Sequence, residues 1–212
     1  MIKTENVRVY NIARAVYSAR NAMNSWDKSD SDLERDILGD NDLALARKLC
    51  RAGSDHRKFL RQIMVSMDIT APLYWWKEFD TYKVGTVANS CSTMHTIHKK
   101  EFTMDDFSTD RMTSARATQL MLDVIDELNE NRKWFNVEND PAIKKNYFNN
   151  MIQLLPTSYN QKRTVTLNYE VLLNMYHARK AHKLDEWVSF CEVIAGMPYF
   201  AEICLENNAN CD

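Results

Sequence analysis

A chain of 212 residues with 45% apolar and 26% charged residues can bury one sizeable core, and no apolar run approaches the length of a bilayer-spanning helix. A net charge of -2 offers no field suited to a nucleic-acid backbone, so neither a membrane nor a nucleic acid is an expected partner. Cys50, Cys91, Cys191, Cys204 and Cys211 are odd in number and lack CxxC spacing, which argues against a disulfide framework or a zinc ribbon. The first residues, Met1 to Asn6, lack the apolar core of a signal peptide, and the expectation is a cytoplasmic protein. With no Pro/Gly/Ser-rich linker, residues 1–212 read as a single domain. Four Gly and four Pro in the whole chain suggest long helices and few tight hairpins.

In chain order, Val9, Ile12, Ala13, Val16 and Tyr17 recur at three and four, which predicts a helix over Val7–Met23. Asn24 to Asp32 is rich in residues that bond their own backbone and reads as a loop. A helix over Asp42–Ala52 stops at Gly53. From Ile63 to Thr70 the period is two, with Ile63, Val65, Met67 and Ile69 on one side, the pattern of a half-buried strand. Pro72 opens an aromatic helix that ends near Tyr82. Thr103 and Asp106 have capping-box spacing, Thr113 begins a long helix, and Pro141 to Leu155 forms another. Lys162 to Leu167 alternates as a short strand, and Asn168 is placed to cap a helix through His177 with Glu170 in its first turn. The last helix, Leu184–Leu205, contains Gly196 and Pro198 and should break there. Few strands among long helices indicate mixed α/β layering with a central sheet.

The stretch from Trp75 to His95 starts as an aromatic helix after Ala71-Pro72 and breaks at Gly85 into a polar run, Asn89-Ser90-Cys91-Ser92. This order resembles the signature region of the flavin-dependent thymidylate synthases, the ThyX family. Aligned from Ala71-Pro72, the family's Arg-His-Arg triplet falls on Thr81-Tyr82-Lys83, its Asn on Asn89, its Ser on Ser92 and its final Arg on Met94, a thioether with no donor for phosphate. A second block keeps the family spacing Asn-x5-Asn-x4-Arg at Asn168, Asn174 and Arg179. The Arg expected two residues after Asn168 is Glu170, a charge that would repel a flavin diphosphate, and another family Arg falls at Ile152-Gln153. His56 aligns with a family histidine that sits beside the flavin ring.

The resemblance implies a ThyX-like fold and, as activity, methylation of dUMP to dTMP with FAD as hydride carrier, methylenetetrahydrofolate as one-carbon donor and NADPH as reductant. It assigns Glu78, Ser90, Cys91, Ser92 and Arg179 to a pyrimidine deoxynucleotide, with Ser92 and Arg179 as catalytic residues, and His56, Lys83, Asn89, Asn168 and Asn174 to FAD. It also implies a homotetramer, in which the aromatic run Leu73-Tyr74-Trp75-Trp76 could supply interface. The alternative is a ThyX-fold module with altered or lost catalysis that binds a nucleotide or a protein. Residue by residue, Asn168 could be a plain helix cap, Asn174 an exposed polar residue and Arg179 a helix-end charge. Cys91 with His95 lacks a third orienting group for nucleophilic catalysis, and His95-x-x-His98 gives two metal ligands without a third.

Overall fold

The computed structural model describes residues 2–205, and Cys211 lies outside them. Strand β1 spans Lys3–Tyr10, with Val7 and Val9 half-buried and Arg8 and Tyr10 exposed. The helix expected from Val7 therefore begins later. Residues Val7 to Tyr10 have a period of two, and Asn11, in left-handed backbone at φ 71, turns the chain into α1 (Ile12–Ala19). A 3-10 turn over Arg20–Met23 replaces the predicted last turn of that helix.

Next come α2 (Asp40–Arg51), a 3-10 turn over Lys58–Gln62, and β2 (Met64–Pro72), whose Val65, Met67 and Ile69 are buried as the alternation predicts. The aromatic helix α3 (Leu73–Phe79) is followed by β3 (Val87–Ser90). Every residue of β3 is exposed, so it lacks the alternation that marks a strand and reads in the sequence as a polar loop. A single turn, α4 (Thr93–Thr96), precedes the Thr103–Asp106 capping box, which forms as predicted. Helix α5 (Ala115–Val137) is capped by Ser114, α6 (Pro141–Leu154) by Asp140, and β4 (Asn160–Asn168) runs directly into α7 (Tyr169–Arg179). Helix α8 (Asp185–Ala195) ends before Gly196, and a π-helical turn follows over Ala201–Leu205, which is the break predicted at Gly196 and Pro198.

The strands form one antiparallel sheet in the order β1-β2-β4-β3 among these helices, the mixed α/β class expected. No helix among the described residues is long and apolar enough to cross a membrane.

The chain divides into two compact units. Among the described residues, one is built from 70–80 and 89–163 with residues 2–3, the other from 4–69, 81–88 and 164–205. In the first unit Ile97, Phe102, Met121, Ile125, Leu128 and Met151 form a core over the α5–α6 hairpin, and the Asn129 side chain exchanges two 2.9 Å hydrogen bonds with the Phe102 backbone. Trp75, Trp76 and Phe79 pack on one another at 4.9–5.2 Å between ring centres. Both tryptophans are essentially inaccessible and are spent on the chain's own core, whereas Leu73 and Tyr74 of the same run are half-buried.

In the second unit Asp68 on β2 accepts hydrogen bonds from Asn6 on β1 at 2.9 Å and Thr164 on β4 at 2.6 Å, which fixes the register of the three strands. The polar loop before α2 is structured by two carboxylates. Asp30 accepts from the backbone N–H groups of Asn41 and Asp42, taking the place of a cap for α2. Asp42 is fully buried and accepts from Arg20 Nε at 2.6 Å, Ser29 at 2.6 Å and Ser31 at 2.5 Å. Burial pushes its carboxyl up, but the hydrogen bonds from Ser29, Ser31 and Arg20 and the charge of Arg20 outweigh it and hold it below the usual carboxylate range.

A folded-state carboxyl below its unfolded value of about 3.9 contributes stability that is complete above that pH and is lost as pH falls through the folded value. Asp42→Ala should therefore lower the unfolding free energy near pH 7 by about 3 kcal/mol, the cost of stranding a buried guanidinium. In urea unfolding, the gap between wild type and Asp42→Asn should narrow as pH falls below the usual carboxylate range. A gap that stays constant would contradict this assignment.

Candidate functional site

A cavity of ≈ 480 Å³ lies against the head of α7, lined by Arg61, Val84, Gly85, Asn168, Glu170 and Asn174. It draws on residues from three parts of the second unit. Gly85 has left-handed backbone at φ +77, and a Cβ there would stand 2.9 Å from Asn168 Nδ2 and 3.3 Å from Val171 Cγ2. Only glycine lets this segment lie so close to α7. Asn168 caps α7, its Oδ1 accepting from the Val171 N–H at 3.1 Å, and its amide faces Gly85. Asn174 is exposed and lies four residues after Glu170, so the two share one face of the helix, the face that lines the cavity.

Glu170 is not the open negative charge its position in the sequence suggested. Its side chain is 10% exposed and forms ion pairs with Arg57, at 3.3 Å, and with Arg61, both from around the 3-10 turn Lys58–Gln62. Two guanidinium groups around one carboxylate neutralise Glu170, with Asp55 as a further carboxylate acting on Arg61. The Arg61 side chain, 57% exposed, reaches into the lining. The sequence missed Arg57 and Arg61. The signal available was the run His56-Arg57-Lys58 with Arg61, whose direction no periodicity gives.

Arg179 is packed rather than splayed. Its guanidinium carbon lies 4.9 Å over the ring of Trp187 and 5.8 Å from that of Tyr82, its Nε donates to Tyr82 Oη at 3.1 Å, and its Nη1 lies 2.9 Å from His182 Nε2. Tyr82, the centre of the triplet Thr81-Tyr82-Lys83, is thus joined to the second sequence block. Arg179 closes α7 as a helix-end charge, and its guanidinium is also stacked and hydrogen-bonded.

The remaining sequence-derived residues are distributed as follows. His56 is exposed in the turn after Gly53, and Lys83 is exposed beside Val84. Asn89, Ser90 and Cys91 are exposed and Ser92 and Glu78 half-buried, all in the first unit. There the Cys91 N–H donates to Lys162 O at 2.9 Å and the Gln161 amide to Cys91 O at 2.9 Å, while the Ser92 carbonyl accepts from the Thr96 hydroxyl at 2.7 Å. Met94 is 56% exposed. Asn168, Asn174 and Arg179 share α7 and its ends, and Asn168 with Asn174 shares the cavity.

The sequence matches no family model and no curated protein. Its fold is similar to that of solved structures over nearly the whole chain. Flavin-dependent thymidylate synthase ThyX from Helicobacter pylori, complexed with FAD and dUMP, superposes with a TM-score of 0.67 at 15% identity, over 95% of this chain and 98% of that one. A second structure of the H. pylori ThyX with FAD and dUMP gives 0.69 at 14% identity, over 97% and 98%. A UMP/dUMP methylase, PolB, from Streptomyces cacaoi, bound with 5-Br dUMP, gives 0.60 at 13% identity, over 96% and 92%. The chain therefore has the ThyX-like fold.

The ion-pair geometry yields a stability test. Glu170→Ala strands a mostly buried Arg57 and should cost about 2 kcal/mol, whereas Arg61→Ala removes a largely exposed partner and should cost clearly less. Thermal melts of the two variants decide this. Equal losses would show that Arg57 does not depend on Glu170.

Proposed function

We propose that this chain is a ThyX-fold nucleotide-binding enzyme that takes a pyrimidine deoxynucleotide and FAD, and methylates dUMP to dTMP with methylenetetrahydrofolate and NADPH. The observation that carries the reading is the cavity at the head of α7, where the asparagine pair of the second block meets a cationic Arg61 under a glycine with no room for a side chain. The residues fit an anionic, planar cofactor. Glu170 is neutralised, Arg61 supplies a forked donor for diphosphate, and the Asn174 amide can donate to and accept from ring edges. A cavity of this size holds part of a dinucleotide, not the whole.

FAD, when bound, would carry the hydride between NADPH and the one-carbon unit. The chain's own work would be binding and orientation. Arg61 and Lys83 would hold negative charge, Asn168 and Asn174 would fix the ring, and His56 would stand beside it. Glu78, Ser90, Cys91, Ser92 and Arg179 would orient the nucleotide, and Asn89 would line the flavin. Val84, 90% exposed in the cavity wall, and Val87, 69% exposed, leave an apolar rim that a second copy of the chain would cover, which supports a homo-oligomer, proposed to be a tetramer. The whole chain is taken as one functional domain, working in the cytoplasm.

A second reading, a ThyX-fold protein with a changed nucleotide or no catalysis, is favoured by one observation. The Arg179 guanidinium is engaged by Tyr82, Trp187 and His182.

Flavin fluorescence titration and thermal shift with dUMP separate the two. The first reading predicts saturable FAD binding, a dUMP-dependent rise in melting temperature and dTMP formation. It also predicts that Arg61→Ala weakens FAD about 10-fold, the effect of losing one charged contact that is partly screened by solvent. FAD binding without dTMP formation, or stabilisation by another nucleotide only, selects the second. Neither ligand binding contradicts both.

A further inference from the structure

Away from the Asn168–Asn174 cavity, the second unit holds a separate pocket of ≈ 230 Å³ whose lining includes two thiols, Cys50 near the end of α2 and Cys204 in the π-helical turn. The two thiols lie close enough for each to be the main influence on the other's protonation. The elements that carry them are also tied by Arg47 Nε donating to Glu202 O at 3.0 Å, so the sulfurs are held together by docked backbone. Arg51, Arg57 and Lys180 line the same pocket. The charged group facing them from α7 is Glu170, through Arg57. His177, also in the lining, is held below its usual value by burial and by Lys180 and Arg57, and so stays neutral near pH 7.

We propose that Cys50 and Cys204 form a reversible redox site, oxidised to an intramolecular disulfide by a small anionic disulfide of the glutathione type. The cations of the pocket attract the carboxylates of such an oxidant. The roles of the two sulfurs differ. The hydrogen bond from Cys204 lowers the Cys50 thiol; burial opposes this, and Arg57 then favours the thiolate more than Glu170 opposes it. That same hydrogen bond and burial push Cys204 up, so it keeps its proton. Cys191, pushed up to about 11 by burial, has no such thiol partner among the described residues.

The Cys50 thiolate attacks one sulfur of the small disulfide, forming a mixed disulfide and releasing one thiolate, which is protonated by water; with the Cys50 charge and its hydrogen bond gone, Cys204 loses the two causes that held its proton and gives it up to the hydroxide so formed. Cys204 sulfur then attacks Cys50 sulfur and expels the second small thiolate, which is protonated by water. Two protein thiols are oxidised by two electrons in all, and one small disulfide is reduced to two thiols. The product joins α2 to the C-terminal turn beside Arg57, the partner of Glu170.

The test uses the full chain carrying Cys191→Ser and Cys211→Ser, because residues 184–212 contain no Lys or Arg and stay together after trypsin. Oxidised glutathione is added, reaction is stopped by alkylation, and linked peptides are mapped. The expected result, read on the peptides of Cys50 and Cys204 apart from the exposed Cys91, is loss of these two thiols, a Cys50–Cys204 bridge reversed by dithiothreitol, and a melting temperature raised by about 5–10 °C. Cys204→Ser in that background should accumulate a mixed disulfide on Cys50, whereas Cys50→Ser should leave Cys204 open to alkylation. Salt should slow the reaction several-fold with glutathione disulfide and little with neutral hydroxyethyl disulfide. Two free thiols at excess oxidant, a mixed disulfide on Cys50 that persists with Cys204 present, or equal salt dependence for both oxidants would overturn the proposal.

Discussion

Glu170 in the first turn of α7 is buried, and a carboxylate in that position costs several kcal/mol unless it is paired. Arg57 and Arg61 provide the pairing, and much of the second unit follows from it. With the carboxylate clamped to the 3-10 turn before β2, the rotation of α7 about its own axis is fixed. Asn174, one turn along the same face, then has to line the cavity. The positive end of the helix favours the carboxylate as well. The same Arg57 also lines the thiol pocket, so one ion pair borders two separate cavities of this unit.

The segment between α3 and β3 is anchored against α7 at two points. Tyr82 is held by the Arg179 guanidinium, itself stacked on the fully buried Trp187, and Gly85 is pressed against the Asn168 amide. Val84 and Lys83 lie between these anchors and form a short wall that cannot slide without breaking one of them. Arg179 is thus committed to holding structure. Any ligand it serves would have to meet a guanidinium already fixed in direction, which reduces the entropy lost on binding and limits which ligand shapes it can accept.

The sequence disclosed the parts of this fold whose signals are local. The alternation of β2, the Asn168 cap, the Thr103–Asp106 box and the break at Gly196 are each written within a few residues, and each is present. Strand β1 was hidden because its period of two runs directly into the three-and-four spacing of α1, and β3 because nothing on it is buried. In the site, the Asn-x5-Asn spacing was legible because both residues lie on one helix. The partners of Glu170 were not, since they lie 113 and 109 residues earlier in the chain, and a carboxylate read without them looks like an open negative charge. Trp75 and Trp76 make a related point. Composition shows that an aromatic run must be covered, but not whether the cover comes from the same chain.

The similarity to ThyX structures and to a UMP/dUMP methylase covers nearly the whole chain at 13–15% identity, so it shows shared architecture while the chemistry of the site rests on this chain's own residues. The central claim is that the clamped head of α7, the 83–86 wall and the Arg57–Arg61 turn together form a flavin-nucleotide site. Backbone hydrogen exchange with and without saturating FAD tests this most directly. The account predicts slowed exchange in residues 57–62, 83–86 and 168–174, with the α5–α6 hairpin unchanged. Exchange unaltered in all three segments, or slowed only in the hairpin, would contradict it.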